Sequence, residues 1–125
     1  MLSKQSVLII DRCKENRAVL RAALERRGVT ILEADRSDVG LRMAAQYQPD
    51  LIVLDLEVDD VSADELSSPG DEPGSPAQTP VVILGSIRRD GNGPTAEYVS
   101  KPYHYGPLIR RIESLLRRAQ EYRAA

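Results

Sequence analysis

The sequence predicts an α/β fold, a five-stranded parallel sheet with helices on both faces. Three observations predict it. The runs Val7–Ile10, Leu51–Leu54 and Val81–Leu84 are apolar without alternation, as in strands buried on both faces. Stretches of helical periodicity fall between strand-like runs. Three strand-like runs end in Asp11, Asp55 and Lys101, and a doubly wound sheet places ligands beyond the carboxyl ends of its strands.

Taken in order, Val7–Ile10 is the first strand. Glu15–Arg27 follows as a helix, with Ala18, Leu20, Ala23 and Leu24 apolar and Gly28 as its stop. Val29–Ala34 reads as the second strand. Asp38–Tyr47 reads as the second helix, with Val39, Met43 and Tyr47 at four-residue spacing and Ser37 or Asp38 as the cap. Leu51–Leu54 and Val81–Leu84 are the third and fourth strands, and Glu97–Ser100 is a short fifth. Pro107–Arg123 is the last helix. Leu108, Ile112, Leu115, Leu116 and Ala119 form its apolar stripe, while Arg110, Arg111, Arg117 and Arg118 lie off it.

Two stretches break this rhythm. Ser67–Pro80 holds four prolines and two glycines in fourteen residues, which predicts an irregular loop and leaves room only for a short helix near Ser62–Ser67. Ser86–Thr95, with Gly91, Gly93 and Pro94, is too short and broken for a normal helix with its loops. The third and fourth helices of the alternating pattern are therefore expected to be reduced.

Composition narrows the function. At 125 residues the chain is expected to be one domain, residues 1–125, with an aliphatic core, since it has no Phe and no Trp. A single cysteine, Cys13, excludes an internal disulfide framework and a Cys-clustered zinc site, and suits a reducing, cytoplasmic setting. No apolar run approaches the roughly 18 residues of a membrane span. The net charge of −2 gives no reason to expect nucleic acid or membrane as a partner. The charge is uneven, however: residues 43–87 carry nine acids and no Lys or Arg, so the rest of the chain is basic. Such a stretch suits a cation site or a basic partner as well as a solvated loop.

A carboxylate that attacks a phosphoryl group needs cations around it, because the transferred group carries spread negative charge. Carboxylate-held Mg²⁺ and a lysine are suitable cations. Asp11, Asp55 and Lys101 are part of that equipment. The blocks VLIID (Val7–Asp11) and PDLIVLDL (Pro49–Leu56) and the pair Lys101-Pro102 resemble the bacterial receiver domains of two-component response regulators, over about Ser6 to Gln120. The resemblance implies a flavodoxin-like three-layer sandwich with strand order 2-1-3-4-5. It implies that Asp55 is the phosphorylated residue and Lys101 its catalytic partner. Asp11, Asp55 and the backbone carbonyl of Glu57 match the metal-binding positions, and Tyr98 matches the aromatic switch.

The departures are specific. The second acid of the usual metal pair is Arg12, expected to lie in the acidic pocket, pair with Asp11 or Asp55 and weaken Mg²⁺ binding. The hydroxyl residue expected at the end of the fourth strand is Gly85, leaving Ser86 as the candidate switch hydroxyl. A stand-alone receiver, or one cut from a longer regulator, is expected, with a histidine kinase or phosphotransfer protein as phosphoryl donor. A downstream protein, or a second copy of the chain, would dock through the last helix. The rival reading is a phosphorylation-independent pseudo-receiver that binds proteins, with Arg12 in place of the metal. A flavin-binding flavodoxin is disfavoured, because DRCKENR after the first strand is not a phosphate loop.

Overall fold

The computed structural model describes residues 4–55, 79–85 and 96–124. Their order is β1 (Ser6–Ile10), α1 (Lys14–Glu25), β2 (Thr30–Ala34), α2 (Ser37–Tyr47), β3 (Leu51–Asp55), β4 (Val81–Gly85), β5 (Ala96–Ser100) and α3 (Tyr105–Ala124). The strands form one parallel sheet of order β2-β1-β3-β4-β5. This is the predicted flavodoxin-like order. The short helix near Ser62–Ser67, the loop over residues 67–78 and the reduced segment Ser86–Thr95 lie outside the described residues.

Alternation along each buried strand divides the core into two layers. Val7, Ile9, Leu51, Val53, Val82 and Leu84 face the side covered by α1 and α3, where Leu20, Leu24, Leu108, Ile109, Ile112 and Leu116 meet them. Leu8, Ile10, Ile52, Leu54, Val81 and Ile83 face the other side, against Val39, Met43 and Ala44 of α2. The central strands β1, β3 and β4 are therefore apolar except at Ser6, Asp55 and Gly85 at their ends, and the edge strand β2 is only half-buried.

Element ends follow local chemistry. Gly28 closes α1 at φ +83, in the left-handed region, while the Val29 amide donates to the Leu24 carbonyl. α2 starts one residue earlier than its periodicity predicts. Its capping position is Arg36, which makes no side-chain capping bond, so neither Ser37 nor Asp38 is the cap. α3 starts two residues before Pro107, which sits in the first turn, where a missing N–H costs nothing. Its apolar stripe is as predicted, with Ile109 added, and Arg110, Arg111, Arg117 and Arg118 are exposed. No described helix is long and apolar enough to cross a membrane.

Two contacts set the positions of β1 and β3. The Asp50 carboxylate accepts from the Ser6 amide at 2.7 Å, and the Asp50 amide donates back to the Ser6 carbonyl at 2.8 Å. Pro80 ends the loop by accepting from the Ile52 amide at 3.0 Å. On the other face, α2 approaches β1 closely at Gly40, where an added Cβ would lie 2.7 Å from Ile10 Cγ1 and against Ile10 Cδ1. Helix propensity favours Gly40→Ala by about 1 kcal/mol, but overpacking of this kind costs roughly 1–3 kcal/mol. Gly40→Ala is therefore expected to be destabilising in urea unfolding. Combining it with Ile10→Val, which removes Cδ1, should recover part of the loss. Equal or greater stability of Gly40→Ala alone would contradict the close approach.

Candidate functional site

The chain order reverses between β1 and β3, which opens a crevice at the carboxyl edge of the sheet. Asp55 ends β3 and Asp11 directly follows β1. Both are buried, at 5% and 2% exposure. Lys101 follows β5, its amide bonded to the Gly85 carbonyl at 2.9 Å and its peptide to Pro102 cis. Its ammonium reaches across β4 and donates to Asp55 Oδ2 at 2.7 Å. The structure thus brings Asp11, Asp55 and Lys101 to one edge.

Asp11 has two different oxygens. Oδ1 accepts from the Cys13 amide at 2.8 Å, which ties the carboxylate to the entry of α1. Oδ2 is buried and has no hydrogen-bond partner among the described residues. Burial is the main reason that the Asp11 pKa lies above its ordinary value, and the charge of Asp55 raises it further. The Cys13 amide, the Lys101 ammonium and the Asn16 side chain pull it down without cancelling the rise. Among the described residues, two carboxylates therefore share a desolvated crevice with the Lys101 ammonium. An orphaned carboxylate oxygen beside a second acid fits a hard divalent cation such as Mg²⁺.

The other expected residues are placed unevenly. Arg12 is exposed, and among the described residues it pairs with neither Asp11 nor Asp55. Arg12 lies past the end of β1, in the bend that leads into α1, where it is exposed. Tyr98 is half-buried against the α2-side layer, opposite Ile83 in the ladder. Gly85 is buried at the end of β4. Glu57 and Ser86 lie outside the described residues.

Sequence reasoning missed three contributors. Arg17, on the first turn and a half of α1, donates to the Asp11 carbonyl and, at 3.1 Å, to Glu33 of β2. Arg21 adds a second bond to Glu33 at 2.6 Å. Asn16 accepts from the Tyr105 hydroxyl. The spacing of Asn16 and Arg17, five and six residues after Asp11, was the available signal, but they read as the polar face of a helix. Tyr103 and Tyr105 meet edge to face, with centroids 5.6 Å apart. Burial, reinforced by Tyr105 and by the charges of Asp11 and Asp55, pushes the Tyr103 phenol well up from its ordinary value.

A crevice holding acids at the switch point of a β2-β1-β3-β4-β5 sheet, with a lysine after β5, defines a receiver-type site. The comparisons agree. No protein-family model matches the sequence. The KDP operon transcriptional regulatory protein KdpE of Escherichia coli is 33% identical over 119 residues, which cover 90% of this chain and 52% of that protein. The transcriptional regulatory protein ResD of Bacillus subtilis is 27% identical over 125 residues, which cover 95% and 51%. The receiver domain of a LuxO repressor protein from Vibrio parahaemolyticus superposes with a TM-score of 0.78 at 17% identity, covering 98% of this chain and 97% of that one, and so shares the fold. The chain spans about half the length of the curated relatives it matches. Its relatives are response regulators, and its structural neighbours are receiver domains.

The electrostatics give a prediction of sign. Because the folded-state pKa of Asp11 is raised, its stabilising contribution is full below the ordinary value of 3.8 and is lost as pH rises through the folded value. At neutral pH, without divalent cations, Asp11→Asn should raise stability by roughly 1 kcal/mol, or about 3–5 °C in Tm, with the gain vanishing in acid. Lys101→Met should do the opposite, costing roughly 1–3 kcal/mol by leaving Asp55 uncompensated. Thermal melts of the three proteins across pH check both signs. A Tm for Asp11→Asn at or below wild type at neutral pH would contradict the crowding.

Proposed function

We propose that this receiver domain accepts a phosphoryl group on Asp55 from a phosphohistidine or a small acyl-phosphate donor, with a divalent cation beside Asp11. The observation that carries the reading is the Lys101–Asp55 ion pair at 2.7 Å, set beside the orphaned Oδ2 of Asp11. An Asp55 carboxylate oxygen attacks phosphorus and the bond from phosphorus to the donor atom breaks, with that electron pair leaving on the donor. Asp55 then holds a mixed acyl phosphate. Lys101 is placed to move from the carboxylate onto the new phosphoryl oxygens as a point charge. Asp11 would hold the metal together with Asp55 and the Glu57 carbonyl, and bound Mg²⁺ would neutralise charge developing on the transferred group. Histidine kinases or phosphotransfer proteins are the donors that suit this chemistry.

The pseudo-receiver reading depends on Arg12 replacing the metal. The exposure of Arg12 speaks against that replacement, and the lack of a second acid at that position leaves the cation one ligand short. Weak Mg²⁺ use is accordingly expected from a missing ligand rather than from a competing guanidinium.

Intact-mass analysis after incubation with an acyl-phosphate donor and Mg²⁺ tests the proposal. Wild type should gain one phosphoryl group, Asp55→Asn none, and Lys101→Met should gain it at least about tenfold more slowly, in line with the loss of a cation aimed at developing charge. Arg12→Ala should behave within about threefold of wild type, because surface charges are screened. An unmodified wild type at high Mg²⁺, or equal labelling of Asp55→Asn, would overturn the assignment.

A further inference from the structure

Asp11 is gripped at three polar groups. Its amide donates to the Ala34 carbonyl of β2 at 3.0 Å. Its Oδ1 accepts from the Cys13 amide at 2.8 Å. Its own carbonyl accepts from Arg17 Nη1, in the first turn of α1. The Arg17 amide in turn donates to the Cys13 carbonyl at 3.2 Å. Backbone and side chain of one residue thus hold the bend between β1 and α1.

Arg17 is itself held. Its Nε meets Glu33 Oε1 of β2 at 3.1 Å, and its side chain is only 14% exposed. Arg21, one helical turn on, takes the other oxygen of Glu33 at 2.6 Å. A guanidinium is planar and rigid, so a fork fixed at Nε by Glu33 fixes where Nη1 points. Nη1 points at the Asp11 carbonyl. The direction of that carbonyl is the backbone rotation ψ of Asp11. The bond from the Cys13 amide back to Oδ1 is an Asx-type turn, which closes only over a limited range of ψ. Holding the carbonyl therefore holds the carboxylate, with Oδ1 engaged and Oδ2 left without a hydrogen-bond partner among the described residues.

We propose that Arg17, braced by Glu33, is a positioning residue: through the Asp11 backbone it keeps the carboxylate oriented with Oδ2 available to a divalent cation. The proposal rests on the reading of Asp11 as a cation ligand given above. Arg17 does not touch the cation in this scheme. Its charge opposes binding, since a guanidinium near the crevice repels Mg²⁺, and by Coulomb's law alone its removal would strengthen binding. Positioning predicts the opposite sign, and that separates the two effects.

The test is calorimetric titration of Mg²⁺ into wild type, Arg17→Met, Arg17→Lys and Arg21→Met, well below the metal-free Tm of each. Arg17→Met should weaken Mg²⁺ binding about fivefold, the effect of one hydrogen bond. Arg17→Lys keeps the charge but offers a point charge in place of the fork. It should weaken binding about threefold, and it decides the matter if Arg17→Met does not fold. Arg21→Met removes the same charge and a bond to the same Glu33, but among the described contacts Arg21 does not reach Asp11. It should leave Mg²⁺ affinity within about twofold of wild type. At saturating Mg²⁺ the rate of acyl-phosphate labelling of Arg17→Lys should return to the wild-type rate, which a general loss of structure would not allow. Wild-type or tighter Mg²⁺ binding in either Arg17 variant, or an equal loss in Arg21→Met, would overturn the proposal while leaving Asp11 as a ligand. Absence of Mg²⁺ binding by wild type would overturn the cation reading itself, and this proposal with it.

Discussion

Two buried carboxylates at the ends of neighbouring strands, with the Lys101 ammonium bonded to one of them, are the constraint on which the rest of the site depends. Asp11 and Asp55 cannot both be comfortable as anions in a desolvated crevice. Lys101 answers for Asp55 through a direct bond at 2.7 Å. Among the described residues, Asp11 receives one backbone amide, and its Oδ2 has no hydrogen-bond partner. Among the described residues, Asp11 is thus the less compensated of the two acids. Such a site favours whatever brings a cation in, and a phosphoryl group then finds cations already in place.

The scaffold keeps this unfavourable arrangement from relaxing. Parallel pairing of β1 with β3 fixes where the two acids emerge, and the Asp50–Ser6 contacts pin that pairing at the opposite end of the strands. The Gly40–Ile10 approach leaves β1 no freedom to shift under α2. Arg17 holds the Asp11 carbonyl while it is itself paired with Glu33, so the turn into α1 cannot swing the carboxylate out to water. Lys101 comes from the far edge strand, and its amide is anchored to Gly85 before its side chain crosses to Asp55.

Much of the sheet was legible because its central strands are apolar without alternation, a pattern that short helices in this chain do not share. Asp11, Asp55 and Lys101 were legible as strand-end charges, since a parallel sheet collects all its carboxyl ends on one edge. The place of Arg12 was not. A residue just past a strand end lies where the chain turns, so charge complementarity with the acids alone did not reveal that it is exposed. Asn16, Arg17 and Tyr105 were equally hidden. Each looks like an ordinary polar or aromatic residue of an amphipathic helix, and only the packing of α1 against α3 and β2 shows what they reach. The start of α2 was read from capping chemistry, and the structure instead begins the helix without a side-chain cap.

The upward pull of burial and of Asp55 on the Asp11 carboxyl is directly measurable. Carbon-detected NMR titration of the Asp11 carboxyl, in metal-free wild type and in Lys101→Met and Asp55→Asn, follows the group itself. The account predicts a wild-type midpoint above the ordinary 3.8, higher again without the Lys101 ammonium and lower without the Asp55 charge. A wild-type midpoint at or below the ordinary value, unmoved by either substitution, would contradict it.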